Sequence, residues 1–162
     1  ERTSEGAFIP AEQYPELALA ATGTHDLPPL AGWLSGEDIA LRQKIGLLDV
    51  SAAQADRSIR AKDRSLLVDA LRAGGDLAEA PSNEAIVAAA YRFLARSPAR
   101  IVMIQLDDVA GETIPVNVPG TYREHPNWRR KLRDDIEAVA GDGRLERFAE
   151  IMRANGRTKQ AQ

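Results

Sequence analysis

The sequence predicts an α/β chain in which helices dominate and two short strands lie far apart. Three observations carry this. Ile101-Val102-Met103-Ile104-Gln105-Leu106 is almost continuously apolar and β-branched, as strands buried on both faces of a parallel sheet are. Leu17 to Thr22 is a second short apolar run of small residues, and periodicity alone leaves it open to a helical start. Between them lie several segments with helical spacing and good caps. Two parallel strands do not close a sheet, and each needs neighbours on its edges. The missing strands are therefore expected upstream of Glu1. The opening Glu1 to Gly6, with no initiator Met, agrees with a piece cut from a longer protein.

Residues 1–16 read as loop, since Gly6, Pro10 and Pro15 break any regular period. The first apolar run ends at Gly23-Thr24-His25-Asp26, and Pro28-Pro29 stop it. Ser35, with Asp38 three residues on, predicts a capped helix ending near Gly46. Ser51 predicts a second helix carrying Asp56, Arg57 and Arg60 on a solvated face. Asp63 predicts a third, with Leu66, Leu67, Ala70 and Leu71 inward and Gly74-Gly75 as its stop. Ser82 predicts a fourth, with Ile86, Ala89, Ala90, Phe93 and Leu94 at helical spacing. After the 101–106 strand come Asp107, Asp108 and an irregular segment marked by Gly111, Pro115, Pro119, Gly120 and Pro126. A last helix is expected over 143–156, with Leu145, Phe148, Ala149 and Met152 on one face. The tail 157–162 reads as loose.

Bulk composition narrows the functional classes. The 162 residues are 44% hydrophobic, which suits one folded domain. With 21 basic and 24 acidic residues, the net charge of -3 gives no footprint for nucleic acid or an anionic membrane. No apolar run approaches the roughly 20 residues of a membrane span. There is no cysteine, so thiol and disulfide chemistry are excluded. His25 and His125 are the two histidines. They stand far apart without ligand spacing, so no metal site is expected, and no cofactor is called for. Arg129-Arg130-Lys131 reads as a solvated face beside Trp128, with an anion contact as the alternative.

The pair His25-Asp26 has two readings. At the end of a buried strand it occupies the place where (β/α)8 barrels hold their active sites. Equally, Asp26 can close an Asx-turn and His25 can be a satisfied core histidine. Asn117, before the turn Pro119-Gly120-Thr121, has the same two readings, ligand contact or backbone partner of a glycine-requiring turn.

Several segments carry a family resemblance. Ala20 to Pro28, with Thr24-His25-Asp26-Leu27-Pro28 at its centre and Ala31-Gly32-Trp33 after it, resembles the Thr-His-Asp-Leu-Pro segment of the amylomaltases, the 4-alpha-glucanotransferases of glycoside hydrolase family seventy-seven. Asn117-Val118-Pro119-Gly120-Thr121 resembles that family's Asn-x-Pro-Gly-Thr turn, and Pro126-Asn127-Trp128-Arg129 its Pro-Asn-Trp-Arg segment. The order is the family's, and the likeness covers nearly the whole chain. Gly23, Pro29, Leu34 and Asp107 depart from its usual residues.

The resemblance implies the C-terminal portion of one catalytic (β/α)8 barrel over residues 1–162. Leu17 to Thr24 and Ile101 to Leu106 would be its seventh and eighth strands, and 27–100 an enlarged helical crossover. It implies transfer of α-1,4-glucan segments by a retaining double displacement. Asp26 would be the acid that stabilises the transition state, and His25 and Asn117 would bind the sugar. The nucleophile and the acid/base would lie upstream, so this chain alone is expected to be inactive. The implied partners are maltooligosaccharides and the N-terminal remainder of the barrel, in the cytoplasm. The competing reading is a catalytically silent helical fragment or interaction domain.

Overall fold

Two strands, β1 (Leu19–Ala20) and β2 (Ile101–Val102), pair in parallel, with Leu19 opposite Ile101 and Ala20 opposite Val102. Parallel neighbours require a crossover. Here it consists of four helices: α1 (Leu30–Ser35), α2 (Glu37–Lys44), α3 (Val50–Ala73) and α4 (Asn83–Ala95). After β2 come α5 (Leu106–Ala110), a long irregular segment, α6 (Ile136–Gly141) and α7 (Arg144–Ala154). This computed structural model describes residues 2–157.

Both strands are shorter than the apolar runs suggest. The ladder ends with the Met103 amide donating to the Ala20 carbonyl, and Leu106 then opens α5 instead of extending the strand. Burial on both faces is also absent within this chain. Leu17 is 81% exposed, and Leu19, Ile101 and Met103 are about half exposed.

The core forms around α4. It buries Ile86, Val87, Ala89, Ala90, Tyr91, Leu94 and Ala95, an apolar arc too wide for a surface helix. Tyr91 meets Phe148 of α7 edge to face, with ring centroids 4.9 Å apart. Val68 and Leu71 of α3, Val109 of α5, Val139 of α6 and Met152 of α7 complete the cluster. Ser82 caps α4 as expected, accepting from the Ala85 amide.

Other local expectations are corrected. Ser35 is the last residue of α1, and its hydroxyl turns back to the Gly32 carbonyl. Gly36, at φ 76°, separates α1 from α2. The helices expected after Ser51 and Asp63 are one helix, α3, capped by Asp49 through the Ala52 amide. Arg60 leaves its expected solvated face. It forms a bidentate pair with Asp38 (2.8 Å to each oxygen) and lies over the Trp33 ring. Arg157 is tied to the carbonyls of Ala95, Ser97 and Ala99, so it is not loose. The rest of the expected loose tail, 158–162, lies outside the described residues.

One buried knot joins the strand ends to the helices. Asp108, on α5, accepts from the Tyr91 hydroxyl (2.6 Å), the Thr22 hydroxyl (3.0 Å) and the Leu30 amide (2.7 Å). The Tyr91 oxygen in turn accepts from the Gln105 amide (3.1 Å). A carboxylate at the start of α1 also complements that helix's dipole. Gly32 lets the other side of α1 approach the irregular segment, since a Cβ there would stand 1.9 Å from the Thr113 carbonyl oxygen.

Three substitutions check this arrangement by urea denaturation. Asp108→Ala leaves the Tyr91 hydroxyl and the Leu30 amide without their acceptor and is expected to cost about 3 kcal/mol or more. Gly32→Ala is expected to cost about 1–3 kcal/mol through its collision with backbone. Tyr91 supplies a pH test. Burial first, and then the charge and hydrogen bond of Asp108, hold its hydroxyl well above the ordinary tyrosine range. A raised folded pKa gives stability that is complete below the unfolded value, about 10, and is lost as the pH climbs beyond it. Tyr91→Phe should therefore be less stable than the parent at neutral pH but lose less between about pH 10 and pH 12.

Candidate active site

The chain leaves β1 with its side chains sorted to two sides. Thr22 points in, to Tyr91 and Asp108. Two residues later a turn closes, with the Leu27 amide donating to the Thr24 carbonyl (3.0 Å), and His25 and Asp26 stand outward on it. Their side chains are 59% and 50% exposed. Leu27 and Pro28 then return to line an apolar cleft with Leu30, Trp33 and Phe93. The site therefore sits on a tight turn between a half-buried threonine and an anchored helix start.

The other half of the site comes from the irregular segment, which is clipped at both ends. Arg130 reaches Asp107 (2.7 Å) and Glu112 (3.4 Å), while Glu112 accepts from the Arg133 amide (2.7 Å). Arg130 is thus largely buried and ion-paired, which corrects the solvated-face reading at that residue, while Arg129 and Lys131 are exposed as expected. In the middle, the Asn127 side chain accepts from the Val118 amide (2.9 Å) and donates to the Thr121 carbonyl and hydroxyl. The Trp128 amide donates to the Val116 carbonyl (2.9 Å). His125 is buried, its Nε2 3.3 Å from the Pro115 carbonyl, which makes it a structural histidine. Together these bonds bracket Asn117 from both sides.

Asn117 meets Asp26 across this gap, its Nδ2 donating to Asp26 Oδ1 at 2.6 Å. His25 Nε2 lies 3.4 Å from Asp26 Oδ2. The indole of Trp128 leans on the His25 ring, with centroids 5.1 Å apart at an interplanar angle of 51°. Trp128 has φ 61° and is the one non-glycine residue at positive φ among the described residues. That backbone is costly for a bulky side chain and persists only where neighbours over-determine it. All three residues singled out in the sequence, His25, Asp26 and Asn117, thus lie in one cluster. Trp128, part of a recognised segment but given no role, joins them. A carboxylate, an imidazole and an amide beside an exposed indole offer hydrogen bonds and an apolar face together, a combination suited to a polyhydroxylated ring. Among the described residues, no three histidine, aspartate or glutamate side chains converge on a point that could hold a metal ion.

Comparison with known proteins identifies the class. The chain belongs to glycoside hydrolase family 77, described as 4-alpha-glucanotransferase, whose family model matches residues 1–137. It is 38% identical over 157 residues to the 4-alpha-glucanotransferase of Mycobacterium tuberculosis, covering 92% of this chain and 22% of that protein. The Haemophilus influenzae 4-alpha-glucanotransferase is 26% identical over 151 residues, again with 22% of its length covered. The crystal structure of amylomaltase from Corynebacterium glutamicum superposes with a TM-score of 0.84 at 28% identity, over 92% of this chain and 23% of that one. The chain therefore spans about a fifth of the length of the relatives it matches.

The strained tryptophan gives a test of the segment's rigidity. Trp128→Gly and Trp128→Ala both remove the indole, but only glycine adopts φ 61° without strain. The glycine variant is expected to be the more stable of the two by about 1 kcal/mol in denaturant titrations.

Proposed function

We propose that this chain is the C-terminal part of a 4-alpha-glucanotransferase barrel and supplies one of its three active-site acids. β1 and β2 are then the seventh and eighth barrel strands, α1 to α4 the enlarged crossover between them, and the enzyme a cytoplasmic one. Asp26 binds the hydroxyls of the glucosyl unit at the cleavage point, and His25 and Asn117 contact the same unit. Hydrogen bonds that tighten as the ring flattens towards an oxocarbenium ion lower the barrier, because they are stronger in the transition state than in the ground state. The observation that carries this reading is the outward Asp26 carboxylate, half exposed on the turn that follows β1, with an amide on one oxygen and an imidazole near the other.

The reaction is a retaining double displacement. One carboxylate attacks the anomeric carbon. A second carboxyl group protonates the leaving glycosidic oxygen and then takes the proton from the 4-hydroxyl of the acceptor glucan. Asp107 and Asp108, the acids that follow β2, are engaged elsewhere, with Arg130 and with the Tyr91 knot respectively. Both catalytic carboxylates are therefore assigned to the remainder of the barrel. The half-exposed Leu19, Ile101 and Met103 on the small sheet fit the surface where that remainder packs, since exposed parallel strands call for covered edges.

Transfer on maltotriose tests the reading. The chain alone should be silent, and addition of the remaining barrel in trans should restore transfer. Asp26→Ala in the reconstituted enzyme should lower kcat by about 10²–10³, the cost of deleting one preorganised transition-state contact. Transfer by the 162 residues alone would place the essential carboxylates within this chain and refute the assignment.

A further inference from the structure

We infer that Asn117 is a positioning residue for Asp26: its side-chain amide holds one carboxylate oxygen so that the other is presented to the sugar. This rests on the proposed role of Asp26 and revises that of Asn117, from a ligand contact to a group acting through the acid.

Within the turn that carries Asp26, its carboxylate meets the neighbouring His25 ring at long range, Nε2 lying 3.4 Å from Oδ2. The other bond within that turn to this residue involves its backbone amide, which donates to the Thr24 hydroxyl at 3.4 Å. A half-exposed aspartate on such a turn has several rotamers open to it. The short bond to the carboxylate comes from across the gap, from Asn117 at 2.6 Å. The polarity of that bond is fixed by chemistry. An ionised carboxylate only accepts, so the amide must present its NH₂ group.

Asn117 is itself held for this purpose. Val118, next to it, is buried and its amide is bound by Asn127. On the other side, the Val116 carbonyl is bound by the Trp128 amide. Trp128, in its strained conformation, then leans on His25. One segment, 116–128, thus touches both members of the His25-Asp26 pair. An asparagine serving the sugar directly would leave the carboxylate without a fixed partner on Oδ1. Here that oxygen is occupied, and Oδ2 faces the imidazole at 3.4 Å.

The test uses the full enzyme, this chain joined with the rest of the barrel, acting on maltotriose. Asn117→Ala should lower kcat about tenfold or more while KM moves less than about twofold, the signature of an interaction realised in the transition state. Asn117→Asp should place a second carboxylate against Asp26, whose ionisable contact in the parent is His25. Two such acids share a proton, so the acid limb of the kcat/KM profile should move up by about one pH unit or more. That shift is a property of active enzyme and survives partial misfolding of the variant. A raised KM with unchanged kcat in Asn117→Ala would make Asn117 a direct sugar contact and overturn the inference, as would an unmoved acid limb in Asn117→Asp. Asp26→Asn separates the two levels. Full activity in that variant would defeat the reading of the site itself, whereas its loss beside a normal Asn117→Ala would defeat only the positioning role.

Discussion

Asp108 gathers three segments that are distant in sequence. It takes hydrogen bonds from Thr22 at the exit of β1, Leu30 at the start of α1 and Tyr91 in the middle of α4, and it lies itself on the helix that follows β2. A buried carboxylate is tolerated only where its lone pairs are filled, so each donor has to reach its place for the knot to close. Closing it fixes where β1 ends and where α1 begins. The turn with His25 and Asp26 spans that interval, between an inward threonine and a tethered helix start. The geometry of an exposed site thus depends on a network centred on the buried Asp108 and Tyr91 beneath it.

The irregular segment 111–135 supplies the second constraint. Without regular secondary structure it must satisfy its backbone by other means. The side chains of Glu112, Asn127, Thr121 and Arg133 do so. These contacts make a loop stiff enough to hold Trp128 in a left-handed conformation and Asn117 against Asp26. The site is the meeting of two arms, one set by the Asp108 knot and one by the Asn127 staple, and neither arm has a complete site alone.

Much of the helical framework is legible locally. Ser82 caps α4 through a bond to a residue three positions on, and such an interval can be read from sequence. The boundary at Ser35 is misread because Gly36, with its positive φ, closes one helix and opens the next. Asp49, two residues before Ser51, takes the cap and lets α3 run unbroken through Asp63. Arg60 and Arg130 are read as surface charges because most arginines are. Their partners Asp38, Asp107 and Glu112 lie 18 to 23 positions away, and only the fold brings them near. Asp108 is hidden for the same reason, since its partners stand 17 to 86 residues away. Spacing leaves His25, Asp26 and Asn117 divided between turn chemistry and a site. The motif resemblance nominates them together, and the 91 residues between Asp26 and Asn117 explain why no local pattern could.

A crystal structure of the assembled enzyme with a maltooligosaccharide bound across the cleavage point tests the central claim most directly. The account predicts sugar hydroxyls within hydrogen-bond distance of Asp26 Oδ2 and His25, with Asn117 Nδ2 still on Asp26 Oδ1. A glucan bound elsewhere, or an Asp26 carboxylate turned away from it into contact with protein, would contradict the account.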